Sequence, residues 1–339
     1  MESLTMDNTK QTIGLPYRST AFWLSLAQEP TESCKRNDEG VPLDPILAQT
    51  IPTAAESRVS PWDRCDPLGE ESHSIAERVI RHYRSRVLVR ATGQCFLFCR
   101  HCYRRSLLPS ELEFIDEATI DKLISLLRSH SEIREVLISG GDPLIAPDEK
   151  ITGLLRAIRS IKRPILIRLC TRAPIVLPQR ISDDLISLLS EMHPLQIVLH
   201  INHPRELSSE FLEKSEALLK AGIPLHSQTV LLRGINDSIE TLIELFSTLT
   251  LHSIHPYYLF QGDLAIGTAH FRVPLSKGLI LYENLKKELS GLELPRFAVD
   301  TPGGGGKVYL PEGIVERRGS VWVLRTPNGS FCQYPEEPL

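Results

Sequence analysis

From Arg86 onward, short aliphatic or β-branched runs alternate with longer amphipathic stretches, and this rhythm constrains the fold of the chain more than any other feature. The runs are RVLVRAT (86–92), REVLIS (134–139), PILIRLCT (164–171), LQIVLHIN (195–202), IPLHSQTVLL (223–232) and SIHPYYLF (253–260). Between them lie stretches such as IDEATIDKLISLLRSH and SSEFLEKSEALLKAG, whose apolar residues recur at three and four positions; Gly222 closes the second as a helix C-cap would. Repeated βα units of this kind build a parallel sheet. Six units are too few for a closed eight-fold barrel, so an open (β/α)6 arrangement is expected, with chemistry at the carboxyl ends of the strands.

Residues 1–85 are richer in proline and polar residues and read as an appended, mainly helical segment. Residues 86–262 form the barrel, and residues 263–339 form a C-terminal segment with a helix near 276–290 and short strands. The formal net charge of −4 gives the 339-residue chain no overall attraction to nucleic acid or to an anionic membrane. Neither a secretory apolar stretch at the N-terminus nor a run of membrane-spanning length is visible, so a cytoplasmic protein is expected. The seven cysteines are an odd number. Cys34, Cys65, Cys170 and Cys332 are scattered, which is the pattern of small buried hydrophobes rather than of a disulfide framework.

The other three cysteines stand together in CFLFCRHCYRR, directly after the first barrel strand. Cys95, Cys99 and Cys102, spaced C-x3-C-x2-C, can curl around one point at the barrel mouth. Three thiolates holding a 4Fe-4S cluster leave one iron open to a small molecule, whereas a structural zinc needs four ligands. The alternatives are a zinc completed by a distant ligand such as His101, or no metal.

The loop, its position and the fuller string CRHCYRR resemble the lysine 2,3-aminomutase family of radical S-adenosylmethionine (SAM) enzymes, over about residues 65–335. The resemblance implies an α/β fold, a partial (β/α)6 TIM-like radical SAM barrel with an N-terminal helical segment and a C-terminal cap. It implies a 4Fe-4S cluster on the three cysteines, with SAM chelated by the open iron and cleaved to a deoxyadenosyl radical. The second strand ends in SGGDP. Ser139, Gly140, Gly141 and Asp142 resemble the family's contact with the methionine end of SAM, although a strand followed by this sequence is also a plain turn. His200 in LHINHP, with Asn202 and His203, and Gln228 on the fifth strand are also family-like; buried polar residues satisfied within the barrel are the alternative.

VDTPGGGGKVYLP is not a phosphate loop, because the Walker pattern requires glycine where Thr301 stands and a hydroxyl residue where Val308 stands. Lys307, delivered by a flexible glycine run, is suited to forming a Schiff base with an aldehyde cofactor. The resemblance makes it the lysine that holds pyridoxal 5′-phosphate (PLP), with Tyr83 and Arg86 at the cofactor's ring and phosphate and His82 at a place where arginine is expected. A solvated linker with a surface lysine is the alternative.

Arg104 can take a substrate carboxylate in a two-pronged hydrogen bond. Asp263 and Asp300 match the family's pair for the ε-ammonium of lysine, and a buried carboxylate pair needs a cation. The expected activity is therefore an isomerase converting L-lysine to β-lysine by 1,2-amino migration, with an electron donor to reduce the cluster. Supplying β-lysine for modification of elongation factor P, or acting on another amino acid, is the nearer alternative. A tRNA-modifying radical SAM enzyme and a non-catalytic metal-binding protein are those of other classes. Longer family members carry a cysteine-rich extension that binds zinc, and this chain has Ser238 where they supply another cysteine. No zinc is expected, and a homo-oligomer stays open.

Overall fold

The computed structural model describes residues 15–107 and 113–336. Ten strands form one sheet in chain order: β1 (Ser74–Ala76), β2 (Val79–Tyr83), β3 (Arg86–Thr92), β4 (Glu135–Gly140), β5 (Leu166–Thr171), β6 (Leu195–His200), β7 (Leu225–Val230), β8 (Ile254–Phe260), β9 (Arg296–Asp300) and β10 (Lys307–Tyr309). Strands β3 to β9 pair in parallel, while β2 and β10 flank them in antiparallel. The order runs from β1 to β10 without closing, which gives the open barrel expected from the repeat.

All six anticipated strands form within two residues of the expected ends. The helices are α1 (Ala21–Ser25), α2 (Pro45–Ala48), α3 (Glu117–Ser129), α4 (Asp148–Arg159), α5 (Ala173–Val176), α6 (Asp183–Ser190), α7 (Ser209–Lys220), α8 (Ile239–Leu251) and α9 (Leu275–Glu288). Their boundaries follow side-chain chemistry. Asp116, Ser182, Ser208 and Ser238 each accept a backbone N–H from the first turn of α3, α6, α7 and α8. Gly222, at φ 79°, ends α7 with backbone bonds from Gly222 and Ile223 to Leu219 and Leu218. One continuous apolar core joins the strands to the covering helices. Among the described residues, no helix is long and apolar enough to cross a membrane.

Three features depart from expectation. The described part of the N-terminal segment is not mainly helical: it holds α1, α2, one 3-10 turn (Ala54–Ser57) and the β1–β2 ribbon. A seventh parallel strand, β9, follows α9, so the division at residue 262 cuts through a single sheet. The short run RFAVD carries too little periodicity to announce itself; pairing with β8 makes it a strand. Beyond it, β11 (Ile314–Arg318), β12 (Val321–Arg325) and β13 (Phe331–Pro335) form a separate small sheet.

Candidate active site

The carboxyl end of β3 runs into the thiol loop, and the second strand's glycines hold that loop in place. A Cβ on Gly140, at φ +115°, would sit 2.4 Å from the Thr92 carbonyl, and one on Gly141 would sit 2.2 Å from that of Gln94. The glycines therefore admit the backbone of the thiol loop, whose approach is fixed by bonds from Gly141 and Asp142 N–H to Thr92 and Gln94. Asp142 is likewise occupied. Its carboxylate accepts the Thr171 hydroxyl at 2.7 Å and the N–H groups of Arg172 at 2.8 Å and Leu144 at 3.0 Å. It is a latch between loops, which corrects its expected role as a cofactor ligand. Burial raises its carboxyl above the usual range against those bonds.

The N-terminal segment seals the loop from the other side. Arg18 donates to the Cys95 carbonyl at 3.0 Å, and Arg100 donates to the carbonyls of Leu15 and Pro16, each at 3.0 Å. Arg172 donates to Cys99 Sγ at 2.9 Å. Burial, with the neighbouring thiols, pushes Cys102 up to about 11 and raises Cys95 well above a free thiol.

The arginines of CRHCYRR find their counterions in two glutamates that sequence reasoning missed. Glu56 pairs with both Arg100 and Arg105. Glu70 takes Arg104 through Nε at 3.0 Å and Nη2 at 2.7 Å, and also Arg90 at 3.2 Å and the Tyr103 hydroxyl at 3.3 Å. The Arg104 fork expected to face a substrate carboxylate is closed on Glu70, because a buried guanidinium needs a counterion. Its Nη1 donates to Ser139 Oγ at 3.0 Å. These arginines pull Glu56 and Glu70 below the usual carboxylate range despite burial. The usable signal was a charge imbalance: three arginines within eleven residues and no acid beside them.

Opposite the thiols, β9 and β10 form a hairpin in which Lys307 is paired directly with Asp300. Lys307 Nζ lies 2.7 Å from both Asp300 carboxylate oxygens and 4.0 Å from the centre of the Phe260 ring. Its backbone N–H donates to the Tyr83 hydroxyl at 3.0 Å. The glycine run is not a flexible tether, which corrects the expectation. Gly303 N–H bonds the Pro67 carbonyl at 2.8 Å, and a Cβ on Gly304, at φ +84°, would lie 2.5 Å from His73 Cε1. The glycines allow a tight turn packed against residues 67–73.

Asp263 lies beside this hairpin, and among the described residues none hydrogen-bonds its carboxylate. Burial and the Asp300 charge push it up to about 8, against the pull of Lys307, Arg104 and Arg272. Arg86 stacks on Tyr83 at 3.8 Å and makes no ion pair with a described residue. His82 packs on His73 at 4.3 Å. His200, which burial drives down to about 3, contacts Asn202 and His101 at 3.2 and 3.3 Å. Asn202 is fully buried and bonds Val230 N–H and Gln49, and His203 caps Arg205 N–H, so their polar groups serve the fold.

Fifteen of the residues singled out from the sequence line one cavity of about 320 Å³, Asn202 and His203 not among them: Cys95, Cys99, Cys102, Ser139, Gly140, Gly141, Asp142, His200, Gln228, Tyr83, Arg86, Arg104, Asp263, Asp300 and Lys307. The thiol trio and the amine thus share a chamber, although more than two hundred residues separate them in the chain.

The model of the radical SAM superfamily matches residues 89–246, the stretch holding the thiol loop and the parallel strands that frame it, so the protein is a radical SAM enzyme. A second model, described as lysine-2,3-aminomutase, matches residues 282–338, which include the hairpin of Lys307. A Treponema pallidum protein provisionally named L-lysine 2,3-aminomutase is 47% identical over 78% of this chain and 75% of its own length. The L-lysine 2,3-aminomutase of Fusobacterium nucleatum is 38% identical over 94% and 72%. The glutamate 2,3-aminomutase of Clostridioides difficile is 35% identical over 94% and 73%. The chain belongs to the lysine 2,3-aminomutase family and is an isomerase of the aminomutase type.

The family's cofactors are a 4Fe-4S cluster, SAM and PLP, and the residues present fit them. Thiolates on one zinc ion would stand roughly 3.8 Å apart. Among the described residues no three His, Cys, Asp or Glu side chains are gathered to hold a single ion. The three thiols line the shared cavity, where each could hold one iron of a cluster and leave the fourth open. Arg86, with no acidic partner among the described residues, suits a phosphate, and Lys307 offers an amine to an aldehyde.

Proposed function

We propose that the protein converts L-lysine to β-lysine, with Cys95, Cys99 and Cys102 holding the cluster, Lys307 engaging PLP, and Asp263 with Asp300 taking the substrate's ε-ammonium. One observation carries the substrate choice: both carboxyl groups line the cavity, and Lys307, paired with Asp300, is the cation that also acts on Asp263. When Lys307 is engaged by the cofactor, that cation is lost to the pair. With Asp263 protonated the pair carries one negative charge, so an acidic side chain would add a second, whereas an ammonium restores neutrality.

When bound, the cluster and SAM would supply a carbon-centred radical, after one electron from a reductant, and PLP would supply a conjugated π system able to take up the unpaired electron while the nitrogen migrates. The chain's own residues position, enclose and move protons. Asp300 holds Lys307 Nζ as an ammonium at 2.7 Å, so a proton must leave Nζ before it can act as a nucleophile. Asp263 is protonated below about pH 8, so the Asp300 carboxylate in contact with Nζ is the group placed to accept that proton. Arg86 and Tyr83 receive the phosphate and the ring, with His82 beside them. Arg104 Nη1, directed away from Glu70, donates to Ser139 Oγ at 3.0 Å and to the Gly140 carbonyl at 3.4 Å, so a substrate carboxylate would take the place of one of these acceptors. Gln228 and His200, on β7 and β6, line the wall near the thiols, where a neutral imidazole and an amide can donate to SAM. Tyr258 and Phe260 wall the amine from water.

Anaerobic incubation of the reduced protein with SAM, PLP and each of lysine, arginine and glutamate tests this reading. Lysine should yield the β-isomer; turnover of glutamate but not lysine overturns the assignment of Asp263 and Asp300.

A further inference from the structure

Arg172 follows β5, and its guanidinium ends on the thiol loop. Nη1 donates to Cys99 Sγ at 2.9 Å. The other arm, Nη2, donates to Gln49 at 2.7 Å and Glu206 at 2.9 Å, while the Trp23 ring lies 4.5 Å from the guanidinium carbon. The Arg172 backbone N–H is held by Asp142 at 2.8 Å. With its side chain 8% exposed and Glu206 fully buried, this cation cannot swing into solvent. Arg100 and Arg104, by contrast, are turned to glutamates.

We propose that Arg172 sets the reduction potential of the iron-sulfur cluster through its hydrogen bond to the Cys99 sulfur. The proposal rests on the reading that the three thiols hold a cluster, where Sγ is a thiolate and a stronger acceptor than the thiol seen here. One-electron reduction adds a negative charge to the cluster. A donated N–H and a buried positive charge beside one of its sulfurs stabilise the reduced form more than the oxidised form, which raises the potential. Glu206 pairs with the arm that does not touch sulfur, so it anchors the guanidinium without competing for Nη1. Gln49 and Trp23, which fix Arg172 from the N-terminal segment, thereby act on the cluster at one remove. Arg172 is a positioning and tuning residue, and the electron itself comes from a low-potential one-electron donor.

The test compares wild type, Arg172→Lys and the double variant Arg172→Met with Glu206→Gln, which leaves no unpaired buried charge. Each is reconstituted with iron and sulfide, assayed for both, and titrated potentiometrically with EPR detection, without SAM or lysine. In the double variant the equilibrium constant for reduction should fall about tenfold, a midpoint lower by about 59 mV for one electron. Arg172→Lys, which keeps the charge but not the fork, should shift the same way by less, and decides the matter if the double variant does not fold. Full cluster content with an unchanged midpoint in a folded variant overturns the proposal. A wild type that assembles no cluster overturns the cofactor reading itself, a result that the iron and sulfide assay separates from the first.

Discussion

The two walls of the cavity carry opposite charge. On the thiol side, the guanidinium groups of Arg104 and Arg172 line the cavity, anchored by Glu70 and Glu206. On the amine side, Asp263 and Asp300 line it, with Lys307 paired to Asp300. Buried charge is costly unless compensated. A wall rich in guanidinium groups suits a cluster held by anionic thiolates, and a wall rich in carboxylates suits a cationic substrate tail. The same chamber therefore discriminates by charge along its length.

The largest expected contrast is in folding. Glu70→Ala removes the counterion of Arg104 and Arg90 and should cost about 3–5 kcal/mol in urea unfolding. Asp263→Asn removes a carboxyl that must take up a proton to fold at pH 7 and should stabilise the protein instead. Equal losses would erase the distinction between the walls. Catalysis should rank them differently: Asp263→Asn is expected to lower kcat/KM for lysine a hundredfold or more, within the roughly 2–5 kcal/mol lost when one member of a buried charge pair is removed.

pH sharpens the contrast. The Asp263 carboxyl is raised from 3.8 to about 8 on folding, so the folded state favours its protonated form. Its stabilisation is complete below pH 3.8 and is lost as pH rises toward 8. Wild-type stability should fall relative to Asp263→Asn by about 1.4 kcal/mol per pH unit across that window, measured by urea titration. KM for lysine should move oppositely, decreasing as pH rises through about 8 and the carboxylate forms. The smallest effect belongs to Ser238→Ala, which removes the N-cap of α8 away from both walls. It should cost about 1 kcal/mol and leave KM unchanged in steady-state assays.

Much of this architecture was legible locally. Strand positions follow from β-branched runs, helix ends from Asp116, Ser208 and Gly222, and the thiol loop from its spacing. The glycines of 140–141 and 303–306 were visible but misread as ligand approach and flexibility. Gly140 and Gly141 accommodate the backbone of the thiol loop and Gly304 the His73 ring, and no local pattern names those neighbours. Asp142 shows the same limit, because a carboxylate at a strand end can face a ligand or latch two loops together, and only the folded backbone decides between them.

The sequence by itself determined the repeating βα frame, the three thiols at the end of its first strand and the lysine beyond its last helix, since these depend on spacings of a few residues. Tertiary structure alone decided the charge partners. Glu70 reaches Arg104 across 34 residues and Gln49 reaches Arg172 across 123. Ion pairing responds to distance in space, and the chain path that brings such groups together is set by how the sheet curls.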